Sequence, residues 1–162
     1  MIYLVIIILF FLIPTAIAGV IGAPLAITRK KQVEKIIEKA GIRGTDVFCE
    51  LGTGTGRMMI KAYQKTNCKV IGFEMSPLYY LITLINLKIN KVKNYKLYLK
   101  NFFKADFSGA NVVFVFLMPK PLKKLKFKKG QKVISYCFPI ERLEPYYIME
   151  EKNSLPVYYY QF

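Results

Sequence analysis

Histidine is absent from this 162-residue chain, which excludes imidazole acid–base catalysis and every His-ligated metal site. Cysteine is scarce. Cys49, Cys68 and Cys137 are an odd number without CxxC spacing, which excludes a disulfide framework and a zinc knuckle. Each lies in an apolar run, as a small buried hydrophobe would, and free thiols suit a reducing, cytosolic face. Acids are also few: ten against twenty-five Lys+Arg, a net charge of +15, with only four of the cations arginine. A 54% hydrophobic content and a mean hydropathy of +0.28 exclude a disordered or low-complexity chain. No internal repeat or linker-like stretch is present, so the length allows one hydrophobic core.

Charged side chains are missing altogether from residues 1–28, and the first is Arg29. A bilayer-spanning helix needs ~20 apolar residues, and residues 2–21 supply them, with Pro14 tolerated as a kink. Arg29, Lys30, Lys31, Lys35, Lys39 and Arg43 follow directly. By the positive-inside rule the N-terminus lies outside and the rest in the cytoplasm. The expectation is an N-terminal transmembrane anchor over 1–28 and a single domain over 29–162. The main rival is a cleavable signal peptide, for which Ala16-Ile17-Ala18 has the small-x-small pattern; it lacks the charged n-region. A third reading, a buried core helix, is disfavoured by the length of the uninterrupted apolar run.

Beyond the anchor, QVEKIIEKA (32–40) places Val33, Ile36, Ile37 and Ala40 on one helical face, stopped by Gly41. Apolar runs at 46–51, 68–74, 111–119 and 132–138 read as buried strands, and alternation at 95–101 as a strand covered on one face. A helix starts near Gly56, and another spans 78–90 behind a Ser76 N-cap and Pro77 at its first position. Residues 145–150 and 155–162 flank polar EKNS (151–154), a hairpin. Strands alternating with helices predict an α/β fold: a doubly wound, mostly parallel sheet with a C-terminal antiparallel hairpin.

The sharpest local feature is DVFCELGTGTGR (46–57), a strand running into Gly52, Gly54 and Gly56 with a helix behind. A phosphate-cradling P-loop needs Gly-Lys-Ser/Thr where the chain has Gly56-Arg57-Met58. The dinucleotide fingerprint G-x-G-x-x-G needs glycine where Arg57 stands. An acid, Glu50, just before G-x-G-x-G instead suits a cationic ligand such as S-adenosylmethionine (SAM), whose sulfonium and ammonium a carboxylate attracts. Glu74 ends the next strand, placed to accept ribose hydroxyls.

These motifs resemble those of class I seven-stranded SAM-dependent methyltransferases, with a Rossmann-like fold. More narrowly, the layout is similar to the small membrane-anchored lysine methyltransferases related to the ATP synthase c-subunit methyltransferase. An apolar start, a Pro/Thr segment (GAPLAIT, 22–28), Asn101-Phe102-Phe103, NVVFVFLMP (111–119) and Phe138-Pro139 carry that likeness. The resemblance implies SAM as cofactor, held by Glu50, Gly52, Thr53, Gly54, Gly56, Arg57, Glu74, Met75, Asn101 and Phe102. It implies an apolar acceptor pocket walled by Met118, Pro119, Phe138 and Pro139, and no metal. The chain departs from the pattern at Thr55, where Asp is usual, and at Asn101, where an acid would accept from the adenine amine; Asp106 competes for that role. No NPPY-type tetrapeptide follows the fourth strand.

Seven lysines crowd KPLKKLKFKKGQK (120–132). They suit anionic lipid headgroups or a solvated face; nucleic acid is disfavoured, because only Phe127 offers a stacking surface. The expected function is a SAM-dependent methyltransferase at the cytoplasmic face of a membrane, methylating lysine on a membrane-associated protein. Its alternatives are a small-molecule or lipid methyltransferase, and a non-catalytic SAM-binding or basic scaffold protein.

Overall fold

The computed structural model describes residues 1–21 and 28–162, without the side chains of 4–8, 10 and 21. Most of the GAPLAIT segment therefore lies outside the described residues. Ile2–Ile21 form α1, with Pro14 inside it. Among the described residues no helix is long and apolar enough to cross a membrane, so the transmembrane helix expected over 2–21 is not found as a span. Instead α1 lies against α4 (Pro77–Ile89), and one flank is engaged there by a polar contact. Thr15 donates its hydroxyl to the Phe11 carbonyl at 2.6 Å, so the 2.6 Å bond to Ser76 has Ser76 Oγ as donor.

Helix α2 (Lys30–Ala40) has the expected apolar stripe and ends on Gly41 in the left-handed conformation. Then β1 (Val47–Leu51), α3 (Arg57–Thr66), β2 (Lys69–Glu74), α4 and β3 (Tyr95–Leu99) follow in β-α alternation. Ser76 caps α4 by accepting from the Tyr79 amide, with Pro77 at the first turn. A one-turn 3₁₀ segment at Phe102–Lys104 leads to β4 (Val112–Val115). A one-turn helix α5 (Pro119–Leu122) leads to β5 (Lys132–Tyr136), and β6 (Tyr147–Met149) and β7 (Val157–Gln161) close the chain.

The seven strands are ordered β3-β2-β1-β4-β5-β7-β6. Five are parallel; β7 runs antiparallel to β5, and β6 to β7. The doubly wound sheet and terminal hairpin are as expected, but its two faces are unequal. α2, α3 and α4 cover one face, packing Ile36, Ile37, Met59, Ala62 and Leu87 on Phe48, Val70, Phe114 and Ile134. The other is crossed only by short segments that bring Phe102, Leu117 and Leu122 onto Cys49, Val113 and Val133. Two strands are shorter than their apolar runs. β4 ends at Val115 because the chain turns into α5 at Pro119, and β5 ends at Tyr136 because Cys137 takes φ +78.

Candidate active site

The glycine loop occupies the carboxyl ends of β1 and β2, the edge where sheets of this topology bind ligands. Gly52, Gly54 and Gly56 all have positive φ (83°, 53° and 73°). A side chain at Gly52 would meet nothing within 4 Å, so its backbone borders an open cradle. Gly72 on β2 serves close approach instead: a Cβ there would stand 2.5 Å from Thr53 Cγ2 and 2.6 Å from Met59 Sδ. The loop and the first turn of α3 can settle on the sheet only because that methyl is missing.

Two carboxylates sit on the helix-covered side of this edge. Glu50 is buried, with its Oε2 accepting from the Met59 amide at 3.3 Å. Burial holds its pKa well above the ordinary carboxylate range, the Met59 N–H opposes this, and Glu74 adds to it. A buried acid so poorly compensated is suited to a cationic partner. Glu74 is differently placed: Oε2 accepts from Gly54 N and Oε1 from Met75 N and Ser76 N, each at 2.9 Å. Three of its about four acceptor positions are thus filled, leaving room for one ribose hydroxyl unless the Gly54 amide yields.

The loop is pinned from α4 by two residues that sequence reasoning missed. Thr83 donates to the Gly54 carbonyl at 2.9 Å and lies 3.0 Å from Thr53 Oγ1, while Asn86 donates to the Thr55 carbonyl at 2.9 Å. Their signal is in the sequence: Thr83 and Asn86, three residues apart within the mostly apolar LYYLITLINLKIN, share one helical face. Arg57 donates to the Thr28 carbonyl at 3.1 Å, tying the start of α3 to the segment before α2. Thr53 is buried and Met75 half-buried.

At the end of β3, Asn101 uses its side-chain oxygen to accept from Phe103 N, capping the 3₁₀ turn and leaving a second lone pair for an adenine amine. Asp106 accepts from Ser108 N, and the Ser108 hydroxyl, followed by that amide, holds its carboxyl below its ordinary pKa. Phe102 is buried in the core of the thin face. Glu50, Gly52, Thr53, Gly54, Gly56 and Glu74 thus converge, with Arg57 and Met75 beside them. An open backbone cradle between two strand-end carboxylates fits SAM, which would set its ammonium toward Glu50 and its ribose toward Glu74.

The four residues expected to wall the acceptor pocket lie just past the ends of β4 and β5. Met118 is the N-cap of α5 and 43% exposed, Pro119 begins that helix, and Pro139 is exposed. Phe138 packs on the thin-face core, because the turn at Cys137 sends it across the sheet; its carbonyl accepts from Ser135 Oγ at 2.6 Å. A cavity of about 380 Å³ lies on the helix-covered side, bordered by Phe116 and Tyr136.

In the lysine-rich segment, Phe127 stands 5.0 Å from Phe162 and 6.1 Å from Phe107, ring to ring, so its face is engaged in packing. Lys123 pairs with Glu141 at 2.7 Å. All three cysteines are free, and among the described residues no cluster could hold a metal ion.

Residues 50–147 match the family described as the ANTKMT methyltransferase domain. A protein-lysine N-methyltransferase of Saccharolobus islandicus (strain REY15A) is 32% identical over 139 residues, covering 81% of this chain and 86% of that protein. A histone H3 lysine-79 methyltransferase of Dictyostelium discoideum is 32% identical over 88 residues, 46% of this chain and 5% of that one. Among solved structures, an RNA methyltransferase from Salinibacter ruber, in complex with S-adenosyl-L-homocysteine, is 28% identical. It superposes with a TM-score of 0.79, covering 83% of this chain and 92% of that one.

Proposed function

The chain belongs to the ANTKMT methyltransferase-domain family and is an enzyme that uses SAM, and from that premise we propose that it N-methylates lysine side chains of proteins. The observation that carries this reading is the 32% identity to a protein-lysine N-methyltransferase along 86% of that relative's length. Bound SAM supplies the methyl group: the amine lone pair forms the new N–C bond as the C–S bond breaks, its electron pair stays on sulfur, and a proton leaves the nitrogen.

The chain's own contribution is positioning and desolvation. Glu50 and Glu74 hold the donor at the carboxyl ends of β1 and β2, and Thr83 and Asn86 fix the loop against α4. Such positioning accounts for several kcal/mol of barrier lowering without a dedicated base. The acceptor must arrive as a neutral amine, which an apolar pocket favours.

We further propose that the enzyme works at the cytoplasmic face of a membrane, on a lysine close to the interface. What supports this is the uncharged run up to Arg29, the six basic residues after it and the lysines of 120–132. Leu9, Leu12, Ile13 and Ile17 on α1 and Leu81, Ile85 and Ile89 on α4 are exposed apolar side chains of the kind a lipid or protein surface covers. In a fractionation of cells making the full-length chain, it should sediment with membranes and resist a carbonate wash.

A second reading is RNA methylation, favoured by the likeness to the 28% identical Salinibacter RNA methyltransferase. The deciding experiment incubates full-length enzyme with methyl-labelled SAM and separate membrane, soluble-protein and RNA fractions of the source cells, then hydrolyses each. Label recovered as N-methyl-lysine supports the lysine reading. Label in nucleosides or extracted lipid rejects it.

A further inference from the structure

The carboxyl edge of the sheet has a second half, whose reading rests on the amine acceptor just proposed. In register across the sheet Glu50 pairs with Phe114, and Phe114 with Ile134. Phe114 and Ile134 pack beneath the helices. One step further toward the carboxyl ends, the same row continues as Gly52, Phe116 and Tyr136. Neighbouring strands lie ~4.8 Å apart, which puts Phe116 roughly one strand spacing from the loop and Tyr136 roughly two. The 380 Å³ cavity opens at this point, with Arg29, Gln32, Ser154 and Leu155 also on its lining. Its α2 wall is tied to the cofactor side by the Arg57–Thr28 bond, one residue before Arg29.

The hydrogen bonds around the cavity run in one direction. Gln32 Nε2 donates to the Leu155 carbonyl at 2.7 Å, which fixes the orientation of the amide and leaves Gln32 Oε1 as an acceptor. Tyr136 donates its hydroxyl to that oxygen at 2.5 Å. Its single proton is therefore committed, and its oxygen can only accept from anything else. The Phe116 and Tyr136 rings meet edge to face, centroids 4.6 Å apart, forming an aromatic corner beside this oxygen. The Tyr136 oxygen, with its own proton committed, suits an apolar stem that ends in an N–H donor. Arg29, its Nη1 on the Asn153 carbonyl at 3.0 Å, adds a fixed positive charge that disfavours a second cation nearby.

We propose that this cavity is the acceptor subsite. It takes a lysine side chain, the methylenes lying against the Phe116–Tyr136 corner and the amine donating to the Tyr136 hydroxyl oxygen. Tyr136 selects a donor and orients its lone pair away from the hydroxyl, toward the glycine-loop side. Arg29 keeps the amine neutral.

The test uses a bisubstrate probe: an adenosine amino-acid analogue of SAM whose sulfonium is replaced by a nitrogen carrying a lysine-length aminoalkyl arm, beside the same analogue without the arm. Both are titrated calorimetrically into the full-length wild type, Tyr136→Phe and Ser154→Trp. The first variant removes the oxygen and keeps the ring. The second fills the cavity from its mouth without touching the buried hydrogen bonds, and the armless analogue reports that each variant still folds and binds. In the wild type the arm should tighten binding about tenfold, the upper end of what one neutral hydrogen bond contributes. Both variants should lose most of that gain with armless affinity unchanged. A gain that persists in both variants overturns the cavity assignment and leaves the lysine reading standing. The absence of any gain in the wild type overturns the lysine reading itself, and the subsite with it.

Discussion

Around Glu74 the ligating groups are backbone amides, two from the next residues and one from Gly54 on the preceding glycine loop, within one β-α-β stretch of the chain. Around Tyr136 the groups come from Arg29, Gln32, Phe116 and the 153–155 turn, and the Gln32 partners of the network lie more than a hundred residues away in the chain. The cofactor half is a local device: a strand, a turn of positive-φ glycines and a helix make it wherever they occur. The acceptor half exists only once β4, β5 and β7 have been paired and α2 laid across them. A donor common to many enzymes can be held by a portable motif. The surface that chooses the acceptor has to be assembled by the whole fold.

The sharpest way to break this contrast is Gly52→Val. Its Cβ has free space, so the fold should survive, but φ +83 strains a branched residue and the side chain fills the cradle. SAM affinity should fall at least about a hundredfold, ~2.7 kcal/mol, with the thermal midpoint changing little by comparison; retained SAM binding in calorimetry would mean the cradle is elsewhere.

Glu50 gives the next largest effect, with opposite signs on stability and binding. Its pKa is raised by burial, so the folded chain binds this proton more tightly than the unfolded one. The stability linked to it is complete below the ordinary carboxylate range and is lost as pH rises through the raised value. Glu50→Gln should therefore raise the midpoint of the cofactor-free protein at pH ~7 and flatten its decline above the acid range. The same variant should weaken SAM binding. A midpoint lowered by this substitution at neutral pH would show that the carboxylate is compensated without SAM.

Thr83→Val removes the bond to the Gly54 carbonyl and the Thr53 contact at nearly constant volume. A cost of about 1 kcal/mol in stability is expected, with a few-fold weaker SAM affinity, measurable by denaturant titration and calorimetry. The smallest effect concerns the exposed Lys35–Glu151 pair at 2.6 Å, which joins α2 to the turn before β7. Glu151→Ala should cost no more than ~1 kcal/mol and leave SAM affinity untouched, with any kinetic change confined to the KM for protein acceptor.

The same contrast explains what could be read from the chain beforehand. Glu50, the glycines, Glu74 and the Ser76-Pro77 cap are legible because their marks lie in one short strand-turn-helix-strand stretch, although Glu74 reaches back 20 residues to Gly54. For Met118, Pro119, Phe138 and Pro139 the chain offers only their position after a strand; the positive φ at Cys137 and the end of β4 at Val115 have no mark in the sequence. Tyr136 and Gln32 carry no local mark at all, being 104 residues apart and meeting only through the sheet. The apolar start illustrates a different limit. Hydropathy alone marks 2–21 as a span, whereas the Thr15–Ser76 bond to α4 is a tertiary contact that composition cannot register.

The most direct test of two separable halves is one SAM titration performed on full-length wild type, Glu74→Ala and Tyr136→Phe. Glu74→Ala frees the Gly54, Met75 and Ser76 amides together and should weaken SAM by about 1–3 kcal/mol, roughly five- to more than a hundredfold. Tyr136→Phe should bind SAM as the wild type does. Equal losses in both variants, or an intact affinity in Glu74→Ala, would contradict the account.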